Sequence, residues 1–274
     1  MLCEDITIHI PGLTRDYLFY HTSDAHIAWA DPEDTQADRD LAEKHAHKWN
    51  LSGIFPRDAF DEALRMAKED HADGIFLCGD ICDYFTPSIV SYVEKRLASC
   101  GTEPLFVSGN HEGNSYLEVI PDIRIHYADY AHMMHDSPAF WVRDFGEFLV
   151  VALDDSDKKV QPEQLDALKR LCQDGRPILL LTHIPVYTRE MEAPLKEKWG
   201  EDACDYFVIG YGEDEAQTPE FCRLLRDPKT PIVAVFAGHI HLSHKSELAP
   251  GRMQYTSAPT FDGKVRRITL TGEP

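Results

Sequence analysis

The sequence lacks the features that mark several large protein classes. Its seven cysteines are scattered, with an odd total and no CxxC pair, so we expect no disulfide framework and a reducing compartment. The amino terminus has no basic stretch followed by an apolar run, and we expect no signal peptide. No apolar run approaches the roughly 20 residues that cross a bilayer. Together these absences predict a soluble cytoplasmic protein with no membrane association.

Basic residues are also in short supply. The 274 residues include 27 lysines and arginines against 47 aspartates and glutamates, for a formal charge of −20. An acidic surface repels phosphate backbones, so the charge disfavours nucleic acid and anionic membranes as partners. No basic channel is visible in the sequence, which argues against a nuclease. A small phosphate-bearing substrate is still compatible with this charge, because a bound metal ion reverses its sign locally.

Short apolar runs alternate with helical patterns along the chain. Near-continuous apolar runs predict strands buried on both faces, at residues 17–20, 74–78, 105–107, 178–181 and 232–236. Apolar spacings of three and four predict four helices, two of which open with a threonine cap and a proline, at Thr86-Pro87 and Thr218-Pro219. A hairpin at 140–153 and a strand-rich tail at 254–270 follow. This order predicts an α/β fold in which two packed, mostly mixed β-sheets are flanked by helices.

No internal repeat or low-complexity linker divides the chain, so we expect one domain over residues 1–274. Two segments, 29–55 and 186–217, do not fit the alternation of strands and helices. Connections of this length are uncommon unless they are functional or carry structure of their own. We therefore expect both to be insertions that shape specificity.

Five short polar motifs follow or end the apolar runs. They are Asp24-Ala25-His26, Gly79-Asp80-Ile81-Cys82-Asp83, Gly109-Asn110-His111-Glu112, Thr182-His183 and Gly238-His239-Ile240-His241. Residues two apart on a strand point to the same side, so Asp24 and His26 could reach one ion. Nitrogen and oxygen ligands without thiolate suit manganese, iron or zinc. The motifs therefore predict metal ions at a common edge of a β-structure.

In this order the motifs resemble those of the calcineurin-like metallophosphoesterase superfamily, which read D-x-H, G-D-x-x-D, G-N-H-[DE], H and G-H-x-H. The resemblance extends from residue 24 to residue 241 and implies an α/β/β/α sandwich with two metal ions. It implies that one ion is held by Asp24, His26, Asp80 and His241, and the second by Asp80, Asn110, His183 and His239. It also implies that His111 protonates the leaving group and that Asp83 orients His111.

Charge and chemistry agree with such a site. Two divalent ions bring four positive charges, whereas Asp24 and Asp80 supply two negative ones, so a phosphoester could dock despite the acidic surface. Metals about 3.5–4 Å apart lower the pKa of a shared water, and the resulting metal-bound hydroxide would attack phosphorus. His111 titrates near neutrality, as a proton donor should.

One departure narrows the substrate. Protein Ser/Thr phosphatases of the superfamily continue the second motif with an arginine, but here Tyr84-Phe85 follows Asp83. The missing arginine argues against a protein phosphatase, and the closer resemblance is to small bacterial phosphodiesterase-like members. We therefore expect hydrolysis of a small-molecule phosphodiester. The alternatives are a phosphomonoesterase and a non-catalytic metal-binding scaffold. Such scaffolds tend to lose the histidine of the third motif, and His111 is present.

Several residues near the motifs have simpler interpretations. Asp83 could instead be a carboxylate at a helix amino terminus, and we expect Glu112 to be a solvated or supporting acid. If residues 38–49 are helical, His45 and His47 point about 200° apart, so we expect a solvated face.

The aromatic residues of 186–217 could pack that segment or form the wall of a substrate pocket, with Arg189 as a phosphate contact. Trp29 and Trp49 are open to the same two interpretations. We expect Cys78 and Cys82 to be buried small residues near the site rather than ligands.

Overall fold

The computed structural model of the protein describes residues 1–116, 122–212 and 218–273. One of its two sheets has five strands: β1 (Leu2–His9), β2 (Tyr17–Thr22), β3 (Gly74–Cys78), β4 (Pro104–Val107) and β11 (Lys264–Thr271). They lie in the order β1-β11-β2-β3-β4. Strands β2, β3 and β4 are parallel, whereas β11 is antiparallel to β2 and parallel to β1.

The other sheet has six strands: β5 (Phe140–Asp144), β6 (Leu149–Leu153), β7 (Ile178–Leu181), β8 (Ile232–Ala237), β9 (His244–Ala249) and β10 (Arg252–Thr256). Their order is β5-β6-β7-β8-β10-β9. Strands β6, β7, β8 and β10 are parallel, and both edge strands are antiparallel to their neighbours. Both sheets are therefore mixed, as predicted.

Eight α-helices lie in the described part of the chain. They are α1 (Gln36–Lys48), α2 (Pro56–Glu69), α3 (Pro87–Ser99), α4 (Tyr127–Tyr130), α5 (Pro162–Cys172), α6 (Arg189–Trp199), α7 (Ala203–Phe207) and α8 (Pro219–Arg226). Short 3-10 turns occur at Ile123–His126, Ala131–Met133 and Thr260–Asp262. None of these helices has the length and apolar character that crossing a bilayer requires. The predicted fold class, two sheets flanked by helices, is confirmed.

Alternating side chains of the central strands fill two apolar layers. On β6, Val150 and Ala152 pack towards the first sheet, whereas Leu149, Val151 and Leu153 belong to a second cluster that includes residues of α5 and α8. Every residue of β6 and β7 is buried. A strand covered on both faces needs apolar side chains at each position, which explains the continuous apolar runs in the sequence.

The structure confirms the four predicted helices as α2, α3, α5 and α8. At α3 the Thr86 side chain accepts the N–H of Ile89 at 3.1 Å, as expected for a helix cap. Thr218 likewise occupies the cap position of α8 with Pro219 after it, but its side chain makes no cap hydrogen bond. Strands β1 and β9 were not predicted, because both are edge strands rich in polar residues, and most residues of β1 are exposed.

The two long segments carry structure of their own. Residues 29–55 include α1, and residues 186–217 include α6 and α7, with residues 213–217 outside the described part. All seven cysteines are free thiols, and Cys78 and Cys82 are buried. The expectation that the chain has no disulfide framework is therefore confirmed.

Phe76 provides a test of the packing between the sheets. Its ring stacks on Phe19 with centroids 4.8 Å apart and meets Phe236 of the other sheet at 5.0 Å. Phe76→Ala should lower the free energy of unfolding by about 3–5 kcal/mol, because it leaves a cavity between the sheets. Urea denaturation measures this loss. Val142→Ala, at a site 38% exposed on an edge strand, is the control, and equal losses in the two variants would contradict the packing described.

Candidate metal centre

The five polar motifs meet at one edge of the fold. Asp24 and His26 follow β2, Asp80 follows β3, and the remaining motif residues follow β4, β7 and β8, namely Asn110, His111, His183, His239 and His241. The carboxyl ends of parallel strands point to the same edge of a sheet, and ligand sites in α/β folds lie there. The parallel strands of both sheets therefore deliver all nine predicted site residues, Asp83 included, to one place.

The backbone of these motifs is not extended. Five candidate ligands have positive φ: Asp24 (52°), His26 (49°), Asp80 (54°), His239 (68°) and His241 (53°). The expectation that residues two apart share one side of a strand is therefore wrong as a mechanism. Left-handed backbone is disfavoured in L-residues, although Asp and His tolerate it better than most. Such strain gathers at functional sites, where the surrounding structure fixes it.

Two glycines let the loops approach each other. A Cβ on Gly79 would lie 2.7 Å from Cγ of His183 and 2.8 Å from the Cα of Gly109. A Cβ on Gly109 would collide with the Asp80 carboxylate and its backbone nitrogen. Only glycine fits at these two positions, and this explains their place beside Asp80 and Asn110 in the motifs.

One group of candidate ligands consists of Asp24, His26 and His241, all buried. Their ligand atoms lie within 4.8 Å of one another. Nε2 of His241 is 3.3 Å from Oδ1 of Asp24 and 3.1 Å from Nε2 of His26. Burial raises the pKa of Asp24, but the neighbouring His241 outweighs it and lowers that pKa to about 2. Asp24 is therefore a carboxylate at neutral pH.

The second group consists of Asp80, His183 and His239, again within 4.8 Å. Nε2 of His183 lies 3.3 Å from Oδ2 of Asp80, 3.1 Å from Nδ1 of His239 and 3.2 Å from Oδ1 of Asn110. Oδ2 of Asp80 also lies 3.9 Å from Nε2 of His26. Asp80 thus stands between the two groups.

The donor atoms of the first group fit a metal ion. His26 directs Nδ1 to the Asp83 carboxylate at 2.9 Å, and burial, aided by the charge of His111, lowers its pKa to about 4. The ring is therefore neutral, with its proton on Nδ1, and Nε2 presents a lone pair to His241. A single proton could bridge only two of the ligand atoms of Asp24, His26 and His241, whereas a metal ion could bind all three. Nitrogen ligands at about 2.0–2.1 Å from a tetrahedral zinc lie roughly 3.3 Å apart, close to this spacing.

The second group fits a cation for the same reason. Nδ1 of His183 donates to the carbonyl of Cys78 at 2.8 Å, which turns Nε2 towards Asp80. Burial lowers the pKa of His183, but the Asp80 carboxylate outweighs this effect and raises it to about 10. A metal ion bound between these groups takes the place of that proton.

His111 presents a free nitrogen beside both groups. Its Nδ1 donates to the carbonyl of Asp83 at 2.7 Å, and its backbone N–H donates to Asp80 at 2.8 Å. A carbonyl oxygen can only accept a hydrogen bond, so Nδ1 of His111 must carry a proton. Nε2 is then available for other partners. Burial lowers the pKa of His111, but the charges of Asp80 and Asp83 outweigh it and raise it to about 9.

Asp83 has more partners than the sequence predicts. Its carboxylate accepts from Nδ1 of His26 and Nε1 of Trp49, both at 2.9 Å, and contacts Nδ1 of His45 at 2.5 Å. Nδ1 of His111 lies 3.4 Å from the same carboxylate. Burial raises the pKa of Asp83, but the hydrogen bonds from His111 and His26 hold it well below its usual range. Asp83 therefore orients a candidate ligand as well as the candidate acid, and does not serve as a helix-terminal carboxylate.

The expectation of a solvated face for α1 is wrong at His45. This side chain is buried against Asp83 and packs near Tyr116, with centroids 4.4 Å apart. His47, on the other side of the helix, is exposed as expected. The helical spacing correctly separates the two rings, but it does not reveal which face packs on the motifs.

Two buried acids hold the motif loops. Glu112 accepts backbone N–H groups from Gly109 (2.6 Å), Asp80 (2.9 Å), Ile81 (2.7 Å) and Cys82 (3.1 Å), so it is a supporting acid and not a solvated one. Burial raises its pKa to about 7.

Asp155 accepts the N–H groups of His183 at 2.9 Å and Ile184 at 3.1 Å. Asp155 was not predicted as a site residue. The signal that could have found it is the Asp154-Asp155 pair directly after the apolar run of β6.

Aromatic side chains from both long segments surround the site. Trp49 stacks on His26 with centroids 4.3 Å apart, and Trp199 and Phe207 lie 5.6 and 5.4 Å from His241 and His239. Trp29 packs instead near Tyr92 at 5.3 Å. Arg189 lines a separate cavity of about 220 Å³, and no candidate metal ligand lines it. This position gives no support to Arg189 as a phosphate contact.

Comparisons with known proteins agree with this geometry. The sequence profile of the calcineurin-like phosphoesterase family matches residues 17–243, which include all five motifs. No curated protein matches the sequence. The fold is similar to that of a dimetal phosphatase from Danio rerio, with a TM-score of 0.56 and 13% identity over 90% of this chain and 88% of that one.

The fold is also similar to that of purple acid phosphatase PPD1 from yellow lupin, Lupinus luteus, with a TM-score of 0.57 and 13% identity. That match covers 93% of this chain but only 46% of the lupin protein. At these identities the likeness concerns the fold alone.

His45 and His47 form a matched pair for testing the role of Asp83. His45→Ala removes one of the partners that fix the Asp83 carboxylate, and through it the ring of His26. Loss of such supporting partners typically weakens metal binding by about 10–100-fold, and we expect a loss of at least tenfold here. Calorimetric titration of the metal-free protein with Mn²⁺ measures it. His47→Ala should bind like the wild type, and equal affinities in all three proteins would disprove the positioning role.

Proposed function

Because the chain belongs to the calcineurin-like phosphoesterase family and is a metal-dependent phosphoester hydrolase, we propose that it hydrolyses a small-molecule phosphodiester with two bound metal ions. One ion would be held by Asp24, His26, Asp80 and His241, and the other by Asp80, Asn110, His183 and His239. Manganese, iron and zinc all suit these nitrogen and oxygen donors. The observation that carries the proposal is the position of Asp80, which belongs to the group with His183 and His239 and lies 3.9 Å from His26 of the other group.

Two divalent ions, when bound, lower the pKa of a water molecule and neutralise charge on the phosphoryl oxygens. The chain's own residues set the charge of the site. The carboxylates of Asp24 and Asp80 balance half of the metal charge, which leaves the site positive for an anionic ester within an acidic protein.

His111 supplies the proton for the leaving group. The fixed proton on Nδ1 directs Nε2 away from Asp83. Burial lowers the pKa of the ring, and Asp83 raises it through its charge and its hydrogen bonds. Nε2 then gives its proton to the oxygen that leaves phosphorus, as a general acid does. Asp83 fixes the orientations of the His111 and His26 rings relative to each other.

The charge of the site supports a diester over a monoester. A phosphodiester carries one negative charge, whereas a phosphomonoester carries nearly two near neutral pH. Tyr84 follows Asp83 where protein phosphatases have an arginine. Among the described residues, no arginine hydrogen-bonds or pairs with the candidate ligands or with His111. The absence of such an arginine favours the less charged substrate.

Phosphomonoester hydrolysis is the second candidate, because both similar structures described above are called phosphatases. We further propose that residues 1–274 form one domain, in which segments 29–55 and 186–217 shape specificity. A cytoplasmic location is supported by the free thiols alone.

Asp80→Ala tests the proposed reaction, because it removes the carboxylate shared by both ligand groups. With Mn²⁺, Zn²⁺ or Fe²⁺ supplied, the wild type should hydrolyse bis-p-nitrophenyl phosphate faster than p-nitrophenyl phosphate. The variant should lose at least about 100-fold in kcat/KM, as metal and charge stabilisation are lost together. Faster hydrolysis of the monoester would establish the second candidate, and no turnover of either ester would favour a metal-binding scaffold.

His111→Gln tests the proton donor. Removing a general acid typically costs about 10²–10⁴-fold, and the loss is largest when the leaving oxygen is basic. We therefore expect diphenyl phosphate to lose more rate than bis-p-nitrophenyl phosphate, while metal content measured by mass spectrometry stays at the wild-type level. Loss of bound metal would instead make His111 a ligand.

A further inference from the structure

The end of α6 is attached to the candidate metal centre. Nε1 of Trp199 donates to the carbonyl of Ile240 at 2.9 Å, and Nζ of Lys198 donates to the carbonyl of His241. Ile240 and His241 belong to the last polar motif. Two consecutive residues of the 186–217 segment therefore hold the backbone between two candidate ligands.

Trp199 forms an aromatic pair with Phe207, the last residue of α7. Their rings are stacked, with centroids 4.9 Å apart and an interplanar angle of 18°. The pair touches both ligand groups, because Trp199 lies 5.6 Å from His241 and Phe207 lies 5.4 Å from His239. An aromatic surface therefore lies directly beside the candidate metal ligands.

Packing of the segment accounts for only part of this pair. Met191, Leu195 and Cys204 form buried contacts of α6 and α7, and the partly buried Phe207 packs against them, whereas Trp199 does not belong to this cluster. Trp199 is 39% exposed and Phe207 is only partly buried. The exposed part of each ring gains nothing from burial, because it stays in contact with water. The pair therefore keeps aromatic surface available beside the site.

The position of the pair indicates which part of a substrate it meets. His111 lies beside His26, with centroids 4.6 Å apart, and bonds to Asp83. Trp199 and Phe207 lie beside His241 and His239, and no ring contact joins them to His111 in the described part of the chain. The leaving group belongs at His111, so the pair faces the substituent that stays on phosphorus.

We propose that Trp199 and Phe207 bind a flat, ring-bearing substituent of the phosphodiester, such as a nucleobase or another aromatic group, on the non-leaving side. This inference rests on the proposed function. Stacking of a flat ring on aromatic side chains is sequence-tolerant and favourable in water. The ammonium group of Lys198, 5.3 Å from the Trp199 ring, places a positive charge beside the same surface.

Two esters that share one leaving group test the proposal. Bis-p-nitrophenyl phosphate and methyl p-nitrophenyl phosphate both release p-nitrophenol, but they retain an aryl or a methyl group on phosphorus. The readout is the ratio of their kcat/KM values with Mn²⁺. Trp199→Ala should lower this ratio about tenfold relative to the wild type, which corresponds to about 1.4 kcal/mol.

Further variants separate stacking from structural damage. Phe207→Leu removes the ring but keeps apolar packing, and it should also lower the ratio. Trp199→Phe keeps an aromatic ring but loses the hydrogen bond to Ile240. Its ratio of kcat/KM values for the two esters should stay close to that of the wild type. Tyr206→Ala is the control, because this neighbouring side chain is 68% exposed and has no ring contact with the candidate ligands among the described residues.

The outcomes distinguish the two proposals. If Trp199→Ala slows both esters equally, the ratio stays constant and the aromatic subsite is disproved while the hydrolase remains. If Trp199→Phe lowers the ratio as much as alanine does, the bond to Ile240 and not stacking is responsible, which also overturns the subsite. If the wild type hydrolyses neither ester with any metal, the proposed function fails, and this inference fails with it.

Discussion

Buried carboxylates that accept backbone N–H groups hold the site together. Glu112 gathers the loops after β3 and β4, Asp155 fixes the loop after β7, and Asp24 accepts the N–H of His239 at 3.0 Å. Apart from the bond between Gly109 and Glu112, each of these bonds ties a chain segment to another that is distant in sequence. Burying an acid without such donors would cost free energy. The acids therefore need these loops as hydrogen-bond donors, and the loops need the acids to keep their conformation. The ring nitrogens of the candidate ligands lie close together because these hydrogen bonds hold the motif loops close together.

The position of the site could be predicted from the sequence, but its local geometry could not. Polar motifs after apolar runs correctly placed Asp80 and His183 at one edge, because parallel strands share that edge. The alternation argument failed, since several of the motif residues adopt left-handed backbone rather than extended strand. Contacts made by distant segments were also invisible, so His45 was expected in solvent and Asp155 was missed. The roles of the ligands and of His111 remain predictions.

Both long segments place aromatic side chains beside the same centre, and a tryptophan from each lies next to His241. Residues of 29–55 supply Trp49 and His45, which fix Asp83 and cover His26. In the 186–217 segment, Trp199 donates a hydrogen bond to the carbonyl of Ile240. We propose that one segment sets the geometry of the ligands and that the other forms the surface that a substrate meets.

Anomalous diffraction from crystals grown with Mn²⁺ would locate bound metal ions without reference to activity. We predict two peaks about 3.5–4 Å apart, on either side of Asp80. One should contact Asp24, His26 and His241, and the other Asn110, His183 and His239. A single peak, a peak coordinated by His111, or ions bound only elsewhere would contradict this prediction.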